Sequence, residues 1–252
     1  MKIQFCSDLH LEFVENKKYL SKNPIIPTGD ILLLGGDIML FSQMDRHNDF
    51  LDFLSDHFQM TYWIPGNHEY YHGSIDDRSG SFKEELRKNV VLLNNQVIDT
   101  DEVQIVCSTL WSHISPIKAW SIQMNLSDFH LIKRSGKTIS IEDYNNLHEE
   151  CLKFLTTTLQ NKTTVPRIVL THHVPTFMNY PEQYRKDPLN EGFATELFEL
   201  IETSEIDYWI FGHHHRNIPP FKIGTCSLET NQLGYVAYGE NESFKYNKVL
   251  VV

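Results

Sequence analysis

Cysteine is scarce in this chain. Its 252 residues include four, Cys6, Cys107, Cys151 and Cys226, and no two form a C-x-x-C pair. Neither a disulfide framework nor a thiolate zinc site is therefore expected, and the four read as small buried hydrophobes. Long apolar runs are missing as well: no window approaches the ~18 apolar residues of a membrane-spanning helix. The opening MKIQFCSDLH enters a strand-like run directly, without the basic and then apolar order of a secretion signal. A cytoplasmic protein with no membrane partner is the expectation. Basic residues are the minority, 22 Lys and Arg against 33 Asp and Glu, for a formal charge of −11. Duplex nucleic acid would meet a repulsive average field and is disfavoured unless a local basic groove offsets it. Repeats, low-complexity tracts and linker-like segments are also absent, and nothing specifies an oligomeric state. What is present, 41% hydrophobic residues, can fill the core of one domain over residues 1–252.

Short apolar runs recur and end in polar turns: IQFC, ILLLGGD, YWIPGNH, IVLTHH and YWIFGHHH. Between them, 43–58 and 141–159 repeat apolar residues at intervals of three and four, the spacing of amphipathic helices. Ser140 with Asp143 three residues later forms a capping-box pattern for the second. Strands alternating with helices indicate an α/β layered fold. QVIDTDEVQIVCSTLW, FKIGTCS, GYVAYG and NKVLVV add antiparallel strands, so the sheets are expected to be mixed. Irregular segments are expected at 71–80 and 175–192.

Chemistry-bearing residues stand at the ends of these runs. Asp8 and His10, two apart after the first, would point the same way from extended backbone. Asp37 ends the second after two glycines, which permit close backbone approach. Asn67 and His68 end the third, His172 and His173 the fourth, and His213 to His215 the fifth. If the strands are parallel neighbours, their carboxyl ends gather on one edge, where open α/β sheets place ligands. Extended backbone would put His213 and His215 on one face and turn His214 away, leaving it structural or on the rim.

Taken in order, D-x-H, G-D, G-N-H-E, a later His and G-H-x-H resemble the calcineurin-like metallophosphoesterase superfamily, from Asp8 to His215. The resemblance implies a four-layer α/β/β/α sandwich of two mixed β-sheets flanked by helices, with a two-metal centre at the strand ends. It implies that Asp8, His10, Asp37 and His215 hold one ion and Asp37, Asn67, His172 and His213 the other, Asp37 bridging. His68 would contact the scissile phosphate and protonate the leaving oxygen, with Glu69 orienting it. Nitrogen and oxygen ligands suit Mn, Fe or Zn without singling one out. Two such ions outweigh the aspartates and a bridging hydroxide, so a small phosphate-containing substrate would bind and be hydrolysed by that hydroxide. Phosphodiesters or small nucleotides are favoured as substrates. The chain departs from the pattern twice. Ile38, Met39 and Leu40 follow Asp37, where the family often carries an acidic or amide side chain, and Glu69 stands where Asp is commoner.

Parts of the pattern fit other classes of protein. HEYYH at 68–72 matches the H-E-x-x-H zinc-protease pattern, which requires a helix through a segment that Pro65, Gly66 and Gly73 bracket. A serine/threonine phosphoprotein phosphatase shares the same motifs. A binding scaffold without catalysis shares the fold, but has no evident use for seven spaced ligands. Tyr70, Tyr71, Trp111, Arg216 and Asn217 are candidates to line the substrate pocket.

Overall fold

A computed structural model describes residues 1–252. In chain order its strands are β1 Lys2–Cys6, β2 Ile31–Leu34, β3 Met60–Trp63, β4 Phe82–Arg87, β5 Val90–Asn94, β6 Gln96–Asp99, β7 Gln104–Ser108, β8 Lys133–Arg134, β9 Lys137–Thr138, β10 Arg167–Thr171, β11 Tyr208–Ile210, β12 Phe221–Ile223, β13 Cys226–Glu229 and β14 Val249–Val251. The helices are α1 Val14–Lys22, α2 Asn48–His57, α3 Pro116–Asn125, α4 Asp128–Leu131, α5 Ile141–Leu159 and α6 Phe198–Thr203.

Two six-stranded mixed sheets form, in the orders β14-β1-β2-β3-β5-β4 and β12-β13-β11-β10-β7-β6. Each has four parallel central strands and an antiparallel strand at either edge. The central strands are buried on both faces, and their two-residue period divides the core. Ile3, Phe5, Leu33 and Val91 of the first sheet meet Ile105, Ile168, Leu170 and Ile210 of the second in the layer between the sheets. The alternate residues face outward: Leu32, Leu34 and Trp63 pack on Leu51 and Leu54 of α2, and Val106, Val169 and Trp209 pack on Leu155 and Leu159 of α5 and Ile201 of α6. The result is the expected α/β/β/α sandwich.

Helix α5 begins as its sequence indicates. Ser140 Oγ accepts from Asp143 N at 3.1 Å, while the Asp143 carboxylate accepts from Ser140 N at 3.0 Å. The helix expected over 43–58 is shorter. Phe41–His47 winds as 3-10 turns, and buried His47, at φ −125° and ψ 28°, interrupts the path before α2. GYVAYG is also no strand. Gly234 and Gly239, with φ of 69° and 72°, fold it into a turn around Val236–Tyr238. The segment 175–192 is irregular apart from 3-10 turns at Glu182–Tyr184 and Asn190–Gly192.

Candidate metal centre

Five loops leave the carboxyl ends of β1, β2, β3, β10 and β11 on the same edge of the sandwich and are bonded to one another. Asp8 N donates to Gly36 O and His10 N to Asp37 O, both at 2.9 Å; Gly212 N donates to His172 O at 3.0 Å, and His213 N to Asp8 Oδ1 at 3.0 Å. Asp8, His10, Asp37, His213 and His215 all have positive φ, between 48° and 77°. The extended backbone assumed for D-x-H and H-H-H is therefore absent. Left-handed residues alternating with ordinary ones aim the outer side chains inward instead, a conformation that costs about 1–3 kcal/mol per non-glycine residue and is held by the surrounding bonds. Gly36 and Gly66 let the loops approach. A Cβ on Gly66 would lie 2.2 Å from Asp37 Oδ1, and one on Gly36 2.5 Å from His172 Nδ1.

The structure brings all seven expected ligands together, in two groups that share Asp37. In the first, His10 Nε2 lies 3.0 Å from His215 Nε2 and 3.8 Å from Asp37 Oδ2, and His215 Nε2 lies 3.4 Å from Asp8 Oδ1. In the second, His172 Nε2 lies 3.0 Å from His213 Nδ1, 3.2 Å from Asn67 Oδ1 and 3.4 Å from Asp37 Oδ1. Asp37 thus turns one oxygen to each group.

Each donor's second atom is already committed. His10 Nδ1 donates to Glu12 Oε1 at 3.0 Å and His215 Nδ1 to Glu240 Oε2 at 2.8 Å. His172 Nδ1 donates to Gly35 O at 2.8 Å, and His213 Nε2 faces Gly192 O at 3.4 Å. Asn67 Nδ2 donates to Asp128 Oδ1 at 2.8 Å, which turns its carbonyl oxygen inward. In their neutral forms, both groups therefore present lone pairs to lone pairs across about 3 Å of buried space. Each unsatisfied acceptor there costs on the order of 1–3 kcal/mol, and cations relieve that cost by making the acceptors ligands. The donor set fits two cations.

Charge in the ring is set by the same neighbours. Burial disfavours a charged His172, but the Asp37 carboxylate outweighs it and pushes the ring up to about 9. Burial likewise opposes charge on His215, while Asp8 and Glu240 push it up to about 10. Burial raises Glu12, but its bonds to His10 and His68 dominate and hold it at about 2.

His68 stands beside the first group, with Glu12 Oε1 on Nδ1 at 3.0 Å and the Tyr235 hydroxyl on Nε2 at 3.1 Å. Burial lowers its proton affinity, yet the carboxylates of Asp37 and Glu12 leave it raised. Glu69, expected to orient this ring, does not touch it. Its carboxylate accepts four N–H groups: Asp37 N at 2.9 Å, Ile38 N at 2.7 Å, Gly66 N at 2.7 Å and Trp63 Nε1 at 3.2 Å. Burial and the Asp37 charge push Glu69 up to about 8, against those donors, which favour its ionised form. It straps the β2 and β3 loops together.

Four residues that sequence reasoning passed over complete the site. Glu12 lies within the CSDLHLE stretch, two after His10, so a signal existed. Asp128, Tyr235 and Glu240 belong to no motif. The side chains of Ile38, Met39 and Leu40 are buried among apolar neighbours and supply no polar contact. His214 is buried and faces Gln232 Nε2 at 2.9 Å, and it also lines the cavity above the centre. His173 stays outside both groups, its Nε2 on the Tyr144 hydroxyl at 3.1 Å. His68–Tyr70 is a single 3-10 turn and His72 is exposed, so HEYYH presents no helical zinc face. Of the five candidate pocket residues, Tyr71 alone lines the cavity above the centre. Tyr70 and Trp111 pack in the core, and Asn217 donates to Gln232 O at 2.8 Å.

A family model described as calcineurin-like phosphoesterase matches residues 1–217. The uncharacterized protein L509 of Acanthamoeba polyphaga mimivirus is 33% identical over 263 aligned positions, covering 92% of this chain and 91% of that protein. The phosphopantetheinyl hydrolase PptH of Mycobacterium tuberculosis has a similar structure, with a TM-score of 0.71 at 16% identity over 99% of this chain and 95% of that one. At that identity the likeness concerns the fold. A dimetal phosphatase from Danio rerio reaches a TM-score of 0.46 at 13% identity, over 92% of this chain and 87% of that one.

Proposed function

Because the chain belongs to the calcineurin-like phosphoesterase family and is thereby a metal-dependent phosphoester hydrolase, we propose that it holds two divalent ions and hydrolyses a phosphate ester or anhydride, small phosphodiesters or nucleotides being favoured. Asp8, His10, Asp37 and His215 would hold one ion and Asp37, Asn67, His172 and His213 the other. The observation that carries this reading is the pair of acceptor-only groups sharing one carboxylate, Asp37. Mn, Fe and Zn all suit such nitrogen and oxygen donors. When bound, the ions would polarise the phosphoryl oxygens and lower the pKa of the attacking water.

The chain's own residues would do the rest. Glu12 fixes Nδ1 of His68 as the donor, which leaves Nε2, on the Tyr235 hydroxyl, to hold a proton and pass it to the leaving oxygen. Asp128 aims the Asn67 carbonyl, and Glu69 keeps the Asp37 and Asn67 loops in register. One domain over residues 1–252 would carry this activity, since β14 returns to pair with β1. Four buried free cysteines suit a reducing compartment such as the cytoplasm.

The test is metal reconstitution of chelated protein with matched chromogenic phosphate mono- and diesters. Two ions should bind per chain, activity should return with metal, and Asp37→Asn should lower kcat/KM by more than about a hundredfold. If two ions bind but neither these esters nor nucleotides turn over, the chain acts as a scaffold. If none bind at these residues, the assignment fails.

A further inference from the structure

Beside the cavity above the centre, whose volume is about 580 Å³, lies a second pocket of about 330 Å³. Tyr180, Asp187 and Asn190 line both, so the two adjoin. Their charged groups differ. The larger cavity mixes the carboxylates of Glu12, Asp37, Asp187 and Glu240 with the rings of His68 and His215, and no Lys or Arg lines it. Lys118, Arg185 and Lys186 all line the smaller one, against the carboxylates of Asp187 and Glu191. In a chain of formal charge −11, that is a local reversal of sign.

The two carboxylates are already engaged. Asp187 Oδ1 accepts from Leu189 N at 2.8 Å, and Glu191 Oε2 accepts from Ser115 N at 2.7 Å. Lys118, half-buried on α3, and exposed Lys186 are in no ion pair. Arg185 holds Glu182 at 3.1 Å, but both side chains are exposed and such a pair stabilises little. The pocket therefore keeps cationic groups free for an anion.

Its walls are fixed relative to the expected ligands. Arg185 and Lys186 belong to the irregular segment before α6, and that segment seats on α3 so closely that a Cβ on Gly192 would lie 2.9 Å from Leu126 Cδ2. Gly192 O accepts from the Tyr144 hydroxyl at 3.0 Å and faces His213 Nε2 at 3.4 Å, and the Phe193 ring stacks on His213 with centroids 4.7 Å apart. One segment thus joins the cationic pocket to the second ligand group. The ions would meet the phosphoryl group being cleaved, and the three cations stand in a different pocket. What they can meet is another anion farther along the same molecule.

We propose that Lys118, Arg185 and Lys186 form a second anion subsite, and that the substrate carries a second, uncleaved phosphoryl group which lies there while the scissile one lies on the ions. This rests on the phosphoesterase reading and narrows its small phosphodiesters and nucleotides to those with two phosphoryl groups set apart.

The test uses metal-reconstituted enzyme and p-nitrophenyl phosphodiesters whose second substituent is hydroxypropyl, phosphopropyl, hydroxyhexyl or phosphohexyl. At one length at least, the phosphoryl end should raise kcat/KM about tenfold or more over the hydroxyl end. Lys118→Glu and, separately, Lys186→Glu should bring that ratio to about one and leave the hydroxyalkyl rates unchanged. Lys162→Glu makes the same charge change on an exposed turn before β10, at the opposite edge of the sandwich, and should leave the ratio intact. Equal loss in all three variants assigns the effect to net charge and overturns the proposal. So does a hydroxyl end that matches the phosphoryl end at both lengths, or an advantage that survives in both pocket variants; in each case the functional reading stands. Matching non-hydrolysable methylphosphonates, ranked by calorimetry, repeat the comparison without turnover. If the phosphoryl end binds about tenfold tighter and Lys118→Glu removes the gain while no diester is cleaved, the functional reading fails and the subsite stands; if the two ends bind alike, the subsite fails.

Discussion

A single oxygen of Glu12 accepts from both His10 and His68, each at 3.0 Å, so one carboxylate sets the tautomer of an expected ligand and of the expected acid together. The side chains of Ile38, Met39 and Leu40, which follow Asp37, are buried and apolar and offer these rings no carboxylate. Glu12→Ala should therefore lower kcat by about 10–100-fold and weaken metal retention, whereas Glu12→Gln, which keeps an acceptor oxygen, should recover part of both. Steady-state kinetics with metal content per chain measures this, and equal loss in the two variants would show that the acceptor is not what matters. The D-x-H spacing named Asp8 and His10 without naming Glu12, because His68 reaches Glu12 from 56 positions away.

At the scale of elements, the β2 and β3 loops meet on Glu69. Its two oxygens take four N–H donors from three segments, and no other acceptor serves those groups in the fold. Glu69→Gln would turn an amide N–H toward backbone N–H groups, leaving at least one buried donor unpaired. We expect a loss of about 2–4 kcal/mol in unfolding free energy, read by urea denaturation of the metal-free protein. An unchanged midpoint would mean that the loops stay closed without the strap. Helix α5 was legible in the sequence because its cap and its apolar stripe are local. The GYVAYG run was misread because two left-handed glycines override its strand-like residues, and that turn delivers Tyr235 to His68.

Across the whole molecule, the carboxylates of Asp8, Glu12, Asp37 and Glu240 meet the histidines at one edge of the sandwich, and protons and cations compete for them. His172, pushed up to about 9, and His215, pushed up to about 10, are protonated near neutrality in the metal-free protein. Both values lie above the unfolded histidine range near 6.5, so their contribution to stability is complete below that range and is lost as pH rises through 9 to 10. Metal must displace these protons. Apparent affinity should thus fall as pH falls and rise by about tenfold per pH unit for each proton released. Calorimetric loading at neutral pH in buffers of different ionisation enthalpy counts them, and an enthalpy independent of buffer would contradict the expectation. No helix of the structure is long and apolar enough to cross a membrane.

The sequence by itself determined the layered α/β plan and the identity of seven clustered residues, because strand period, helix caps and motif residue types are local properties of the chain. Tertiary structure alone decided the rest. Asp128 bonds Asn67 across 61 positions, Tyr235 reaches His68 across 167, and Glu240 reaches His215 across 25. None of these pairs has a spacing that a pattern could carry. The aim of Asp8, His10, Asp37, His213 and His215 was also a tertiary outcome, since their left-handed backbones are held by bonds between loops that meet only when the two sheets pack.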